Sequence, residues 1–240
     1  MTDRTDLDTQ RAYARFAGLM LLIVLGCSIA GLIVTSSVGP GLDFADRSAQ
    51  IVASEPLFRL GLVLALIGSL STVLLAVALY VTVRPVDRNL ALVGLLLRAC
   101  ESAIGGMGLA LSFGVLQLRA MAAAGDGLAV GEWQAFADVL NGVATAEVAA
   151  IFFSLGSIAF FYLFLRSRYI PRALAAVGLF GSICYAALWI GILLVPDASW
   201  LVPYASVPIL IAEVAGGLWL LVRGIEVPKS AVADNATVGS

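Results

Sequence analysis

Residues 60–83 read LGLVLALIGSLSTVLLAVALYVTV, a stretch without a charged side chain that lies between Arg59 and Arg84. An α-helix rises about 1.5 Å per residue, so about 20 apolar residues cross the roughly 30 Å hydrocarbon core of a bilayer. This stretch is therefore long enough to span a membrane as one helix. Five more apolar segments have a similar length. The sequence predicts an all-α bundle with six transmembrane spans, near residues 14–34, 57–83, 90–116, 138–165, 174–195 and 203–222.

The composition of the chain agrees with a membrane protein. Hydrophobic residues make up 61% of its 240 residues and charged residues only 12%, and its mean hydropathy is +1.01. A soluble domain is about half apolar and about a quarter charged. The net charge of −2 and the lack of a basic tract predict no nucleic-acid partner. The chain has no histidine, and its three cysteines show no metal-binding or disulfide spacing. We therefore expect no cofactor and no metal.

The positive charges predict the orientation of the chain. With six crossings, ten arginines and lysines fall on the side of the termini, and only Arg47 and Arg119 fall on the other side. Because positive loops stay in the cytoplasm, we expect a multi-pass protein of the cell (inner) membrane with both termini cytoplasmic. Residues 1–13 would form a cytoplasmic segment, residues 14–224 the transmembrane domain and residues 225–240 a disordered tail. Trp133, Ala137 and their neighbours at helical spacing predict a short interfacial helix before span four.

Two hairpins of the chain resemble each other. Residues 84–103 read RPVDRNLALVGLLLRACESA, and residues 168–187 read RYIPRALAAVGLFGSICYAA. The paired arginines and the Val-Gly-Leu match, which predicts a parallel repeat of spans two–three and four–five. Arg98 and Glu101 of the first hairpin correspond to Ser182 and Tyr185 of the second. A hairpin fold does not require the two charges, so they favour a local role.

Four stretches carry a family resemblance: FRLGLV at 58–63, RNLALVGLLLRACESA at 88–103, YLFLRSRYIPRALAAVG at 162–178 and IAEVAGGLWLLVRG at 211–224. The chain, from about residue 12 to about 225, resembles a bacterial membrane family known as domain of unknown function 4386. The resemblance implies an integral membrane protein with six spans and carries no established activity. Many members have a histidine in the fourth span. This chain has none, so no role of that histidine transfers to it.

Five ionisable residues lie in or at the edge of the predicted spans: Arg59, Arg98, Glu101, Glu147 and Glu213. Arg98 and Glu213 each lie ten residues from a cytoplasmic arginine, which places both about 15 Å deep. The matching depths predict a pair of Arg98 with Glu213 and an outer pair of Arg59 with Glu147. Glu101 then has no cation of its own, although Arg98 is three residues away, and we expect Glu101 to be neutral.

A charge at the bilayer centre costs about 2.5–3.5 kcal/mol on insertion scales, so these residues need an explanation. Arg98, Glu101 and Glu213 could form one wall of a polar site for a ligand, a proton or an ion. They could also form a structural clasp that fixes helix register. The glycines at 105, 106 and 108 and the pair Gly216-Gly217 are more typical of close helix packing.

Three functions remain open from the sequence. The first is a small transporter or ligand-binding membrane protein, with or without proton coupling, whose site is the polar cluster. The second is an intramembrane enzyme that acts on a lipid or isoprenoid, with two carboxylates as acid and base. The third is a structural or accessory subunit. The expected partners are the lipid bilayer and a small-molecule, lipid or proton ligand, and a homo-oligomer remains open.

Overall fold

The computed structural model describes residues 4–38, 43–125 and 127–226. Every regular element in these ranges is helical, which confirms the all-α prediction. The elements in chain order are α1 (Arg4–Ser36), α2 (Phe44–Ala53), α3 (Glu55–Val83), α4 (Arg88–Ala124), α5 (Val130–Asn141), α6 (Thr145–Ser167), α7 (Arg172–Leu194), a 3-10 helix (Pro196–Leu201) and α8 (Val202–Val222).

Six helical segments of the described chain are long and apolar enough to cross a membrane. They correspond to the six predicted spans. Large apolar side chains point outward from them: Leu32 is 68% exposed, Leu70 60% and Phe180 63%. Such surfaces are stable in lipid and not in water, so the protein is a multi-pass membrane protein.

The predicted disordered tail, residues 225–240, is described only at its first two residues: Ile225 is buried, and the N–H of Glu226 donates to the carbonyl of Tyr169 at 3.1 Å. The rest of the tail lies outside the described residues.

The apolar segment of the fourth span runs from Val130 to Ser167 and consists of two helices. Residues 138–141, where we expected the span to begin, belong to α5, and α6 begins at Thr145. The chain leaves α5 at Gly142, whose N–H donates to the carbonyl of Asp138 at 2.8 Å. The short helix expected before span four is confirmed as α5, with Trp133 and Ala137 buried.

Two other helices differ from the sequence prediction. The helix of the third span continues to Ala124 rather than ending near residue 116. Helix α2 was not predicted, because Phe44–Ala53 is neither long nor strongly apolar. The residue before it is Asp43, whose carboxylate accepts a hydrogen bond from the N–H of Asp46 at 2.8 Å. This is an N-cap, which supplies a partner for one free N–H of the first turn.

The described chain divides into two compact units. Unit 1 comprises the described parts of Met1–Leu22, Ser71–Glu101 and Ala150–Ser240. Unit 2 comprises those of Ile23–Leu70 and Ser102–Ala149. In unit 2, Ser69 and Ser102 lie 3.0 Å apart at their hydroxyl oxygens and join α3 to α4.

The packing role predicted for Gly105, Gly106 and Gly108 holds for one of the three. A Cβ on Gly108 would lie 2.9 Å from the hydroxyl oxygen of Thr145. A Cβ on Gly105 would make only an ordinary contact at 3.9 Å, and one on Gly106 would meet nothing within 4 Å. Only Gly108 is therefore required by a neighbouring helix.

In unit 1, glycines let helices approach closely. A Cβ on Gly18 of α1 would lie 2.5 Å from the carbonyl oxygen of Gly217 on α8. A Cβ on Gly181 of α7 would lie 2.8 Å from the backbone nitrogen of Ile209 on α8. Real Cβ atoms do not come this close to backbone atoms, so the contacts require glycine. For Gly217, this confirms the packing role predicted from the sequence.

We expect Gly18→Ala to lower the stability of the protein by about 1–3 kcal/mol, because the added methyl group overpacks the contact with α8. Gly26→Ala on the same helix is the matched control, since a Cβ there meets nothing within 4 Å. Thermal unfolding of both purified variants in detergent measures the difference. Equal stability of the two variants would show that α1 and α8 do not pack through Gly18.

The glycines of the predicted repeat have equivalent neighbours in unit 1. Gly94 packs against the ring of Phe160, where a Cβ would lie 3.1 Å from Cζ. Gly178, its partner in the repeat, packs against the ring of Phe161 and leaves no space for a Cβ. Two consecutive phenylalanines of α6 thus occupy the two matching glycine positions. The repeat itself stays a prediction.

Candidate functional site

Unit 1 contains a cavity whose wall includes Arg98 and Glu213, while Glu101, the third residue of the predicted polar site, is not part of the wall. The cavity itself has a volume of about 40 Å³, and it continues into open space outside, which brings the total empty space to about 430 Å³. Arg98, Glu213 and Ser157 supply the polar part of its wall. The rest of the wall is apolar and consists mainly of leucine and phenylalanine side chains, namely Leu21, Leu79, Phe160, Phe161, Phe164 and Leu220, with Ile170, Ala212 and Gly216.

Arg98 is placed in the cavity wall by α4 and held there by α6. Its side chain is almost completely buried, with 2% of the residue exposed. Gly156 makes room for the stem, because a Cβ there would lie 2.9 Å from Cγ of Arg98. The guanidinium carbon lies 4.7 Å from the centre of the Phe153 ring. This is a cation–π contact, which partly compensates the loss of hydration.

Arg98 forms an ion pair with Glu101 on the same helix. Nη1 of Arg98 lies 3.1 Å from Oε2 of Glu101. The atoms are close enough for strong attraction, but their angles are not those of a hydrogen bond, and Nε and Nη1 of Arg98 have no hydrogen-bond partner among the described residues. A buried guanidinium normally has partners for its donors. Arg98 therefore retains donors for a further group.

Glu213 is the carboxylate that faces the cavity. It lies on α8, is 7% exposed and is part of the cavity wall. Its charge interacts with those of Arg98 and Glu101. The ion pairs within the described residues join Arg59 to Glu55, Arg98 to Glu101 and Arg166 to Asp87, so Glu213 belongs to none of them.

The pairing expected at this level is therefore corrected. We expected Arg98 to pair with Glu213 and Glu101 to have no cation, but Arg98 pairs with Glu101. Depth along the membrane normal does not specify which direction a side chain takes around its helix. Residues three apart lie on the same helix face, and this local geometry determines the pair.

The expected outer pair of Arg59 with Glu147 is also replaced. Nε of Arg59 lies 2.6 Å from Oε1 of Glu55, one turn earlier on α3, and its guanidinium lies 4.9 Å from the centre of the Phe113 ring. The two charged side chains are 45% and 37% exposed. Glu147 lies in the first turn of α6. A carboxylate there is stabilised by the helix dipole without a paired cation.

The charges of the buried cluster do not balance. Glu213 interacts with one cation, Arg98, and with a second carboxylate, Glu101. If both carboxylates are ionised, the cluster carries one net negative charge. An uncompensated charge in a low-dielectric interior is costly. In that state the cluster lacks one positive charge, which a proton or a cationic group would supply.

A short loop between α6 and α7 closes one end of the cavity. Ile170 of this loop is buried and contributes to the cavity wall. Arg168 has a positive φ of 60°, a left-handed conformation that turns the chain sharply after α6. The hydroxyl of Tyr169 accepts a hydrogen bond from Nε2 of Gln10 at 3.1 Å. Nε2 of Gln10 also donates to the carbonyl of Thr82 at 2.5 Å, so the loop is tied to α1 and α3.

Several residues of the site were not found from the sequence. Phe160, Phe161 and Phe164 lie in a uniformly apolar stretch of α6 and look like any lipid-facing side chains. Gly216 was assigned to helix packing, but a Cβ there would meet nothing within 4 Å, so Gly216 leaves the cavity open. Ser157 is 5% exposed, and a buried serine in an apolar run was the one available signal.

Comparison with protein-family models supplies the family. Residues 16–224 match the model described as domain of unknown function, DUF4386. The chain belongs to the DUF4386 family. Comparison with curated proteins and with solved structures found no match.

The DUF4386 match covers the whole candidate site. In sequence, the residues of the cavity wall extend from Leu21 to Leu220. They and Glu101 all lie within residues 16–224. The cavity and its charged cluster are thus part of the DUF4386 domain itself and not of a segment added to it.

Proposed function

We propose that this DUF4386 protein is a small transporter or ligand-binding membrane protein whose binding site is the cavity of unit 1. One observation carries the proposal. A buried cluster of one arginine and two glutamates lies at a cavity with largely apolar walls, and with both carboxylates ionised it would carry one net negative charge. Membrane-embedded charges of this kind commonly mark a path for a substrate or a proton.

A purely structural clasp explains these features less well. Charges in a clasp stabilise a bundle only when their hydrogen-bonding atoms are paired with each other. Nη1 of Arg98 lies 3.1 Å from Oε2 of Glu101 without the geometry of a hydrogen bond, and Nε has no hydrogen-bond partner among the described residues. Glu213 is part of the cavity wall and belongs to none of the ion pairs within the described residues. Both features are those of a site that has still to accept a partner.

Cysteine labelling tests this proposal and separates it from the alternatives. Gly216→Cys, in a variant without Cys27, Cys100 and Cys184, places a thiol on the cavity wall. We expect a small water-soluble thiol reagent to label it in membrane vesicles. Gly26→Cys is the control, because position 26 also has space for a side chain but lies outside the cavity wall, and it should stay unlabelled.

The pattern of labelling decides between the functions. Labelling of position 216 from both membrane faces is the result expected of a transporter. Labelling from one face supports a ligand-binding protein without transport. Labelling only by a lipid-soluble reagent would support an intramembrane enzyme that takes its substrate from the bilayer. No labelling by either reagent would mean a closed bundle and would contradict the proposal in favour of an accessory role.

We also propose that both termini are cytoplasmic, because ten arginines and lysines fall on that side. Gln134→Cys on α5 places an exposed thiol on the predicted outer side of the membrane. Asn89→Cys at the start of α4 places one on the predicted cytoplasmic side. A membrane-impermeant reagent added to intact cells should label position 134 and not position 89. The opposite pattern would reverse the orientation.

A further inference from the structure

We propose that the cavity binds a monovalent organic cation with an apolar body, held by the carboxylate of Glu213, in exchange for a proton. The inference rests on the proposed function, because it assumes that the cavity admits a ligand. It adds the chemical class of that ligand and the residue that recognises it.

The charges of the cluster favour a cationic ligand over an anionic one. Arg98 is already engaged by Glu101 at 3.1 Å, so Glu213 is the carboxylate left to be neutralised. One bound monocation gives the cluster two positive and two negative charges. An anionic ligand would instead give the cluster an excess of negative charge beside a single arginine, even with Glu213 protonated, in a site of low dielectric. The open donors of Arg98 can serve a neutral hydrogen-bond acceptor on the ligand, so they do not require an anion.

The apolar part of the cavity wall favours a ligand with an apolar body. Phe160, Phe161 and Phe164 form part of the cavity, and aromatic faces attract cations through their quadrupole. The leucines Leu21, Leu79 and Leu220 cover the remaining surface with aliphatic groups. Such a wall gains free energy by burying an apolar ligand body. A strongly hydrated inorganic ion would lose its water here without replacement ligands.

The carboxylate of Glu213 is also the group that takes up and releases the proton. The charged and titratable groups that act on Glu213 are Arg98 and Glu101 on α4 and Tyr185 on α7. The wall residues from α1, α3 and α6 carry no titratable group. Binding then follows a balanced exchange, in which protonated Glu213 and the free cation give ionised Glu213 with the bound cation and one released proton. Acid should therefore weaken cation binding.

Three probes of similar shape and different charge test this inference. They are methylphenylpyridinium, which is a monocation, methylbiphenyl, which is neutral, and biphenyl carboxylate, which is an anion. Calorimetric titration of the purified full-length protein in nanodiscs measures their binding in alkaline and in mildly acidic buffer. We expect the cation to bind most tightly, to bind less tightly in acid and to release one proton. The released proton appears as a dependence of the binding heat on the ionisation heat of the buffer.

Two substitutions separate the inference from the proposed function. We expect Glu213→Gln to weaken binding of the cation at least about thirtyfold, as expected when one partner of a buried charge pair is removed, and to abolish proton release. Glu55→Gln, which removes an exposed carboxylate of the outer ion pair, is the control and should leave binding unchanged.

If biphenyl carboxylate binds instead, and Glu213→Gln does not weaken it, the cavity is a ligand site for anions, so this inference fails and the proposed function stands. If the cation binds equally tightly at both pH values, proton exchange is contradicted. If no probe binds and position 216 is inaccessible to thiol reagents, both the inference and the proposed function fail.

Discussion

Arg98→Leu is expected to lower the free energy of unfolding by about 3–5 kcal/mol, the usual cost of removing one partner of a buried ion pair. The cause is that Glu101 and Glu213 would then share a buried site without a cation. Chemical denaturation of the purified variant in mixed micelles measures this loss. The double variant Arg98→Leu with Glu101→Leu should regain most of it, because it removes the nearest unpaired carboxylate together with the arginine.

Arg59→Leu is the matched control for Arg98→Leu. Arg59 also has a carboxylate close by, but the pair with Glu55 is exposed, and exposed pairs contribute only about 0–1 kcal/mol. If the double variant at positions 98 and 101 is as unstable as the sum of its single variants, then Arg98 and Glu101 are not coupled. The ion pair seen in the structure would then contribute nothing to the free energy of unfolding.

Gly216→Leu is expected to close the cavity without damaging the fold. A Cβ on Gly216 would meet nothing within 4 Å. Gly216 lies on the cavity wall, about one helical turn after Glu213. We expect the thiol of Ser157→Cys, on the same wall, to react at least about tenfold more slowly in the presence of Gly216→Leu, because interiors without voids exclude the reagent. Labelling rates of the single and double variants in vesicles measure the effect.

Gly217→Leu gives the opposite expected outcome one residue away. A Cβ on Gly217 would lie 3.2 Å from Cδ2 of Leu21 and 3.5 Å from the carbonyl oxygen of Gly18. A larger side chain there should push α8 from α1 and cost about 1–3 kcal/mol through overpacking. If both leucine variants were equally destabilised, Gly216 would be a packing residue as well, and the cavity would not be open at this position.

The six spans could be predicted because long apolar stretches with few or no charges are stable in lipid and not in water. The same signal fails at span boundaries. Val139 and Leu140 extend the apolar run of span four toward its beginning, but Gly142 separates them from α6. Helix α2 could not be predicted, since ten residues of mixed character carry no membrane signal and depend on the cap at Asp43.

The charged residues of the site could be found from the sequence, but their arrangement could not. Arg98, Glu101 and Glu213 were singled out because charges in apolar runs are costly. Their partners depend on the direction of each side chain around its helix, which depth alone does not give. The sequence therefore assigned the unpaired role to Glu101, whereas Glu213 is the carboxylate outside an ion pair.

The shape of the cavity could not be predicted from the sequence for a different reason. In a membrane protein, a phenylalanine that lines a cavity and one that faces lipid are chemically alike, so Phe160 and Phe164 carried no distinguishing mark. Adjacent glycines are equally ambiguous. Gly217 permits a close helix contact and Gly216 leaves open space, and only the three-dimensional arrangement separates the two roles.

A crystal structure of the protein grown from lipid with methylphenylpyridinium tests the central claim most directly. We expect the probe in the cavity of unit 1, with its charged ring beside the carboxylate of Glu213 and its apolar ring against Phe160 and Phe164. A cavity filled by its own side chains, with Arg98 bonded to both Glu101 and Glu213 and the probe absent, would contradict the claim and make the charged cluster a structural clasp.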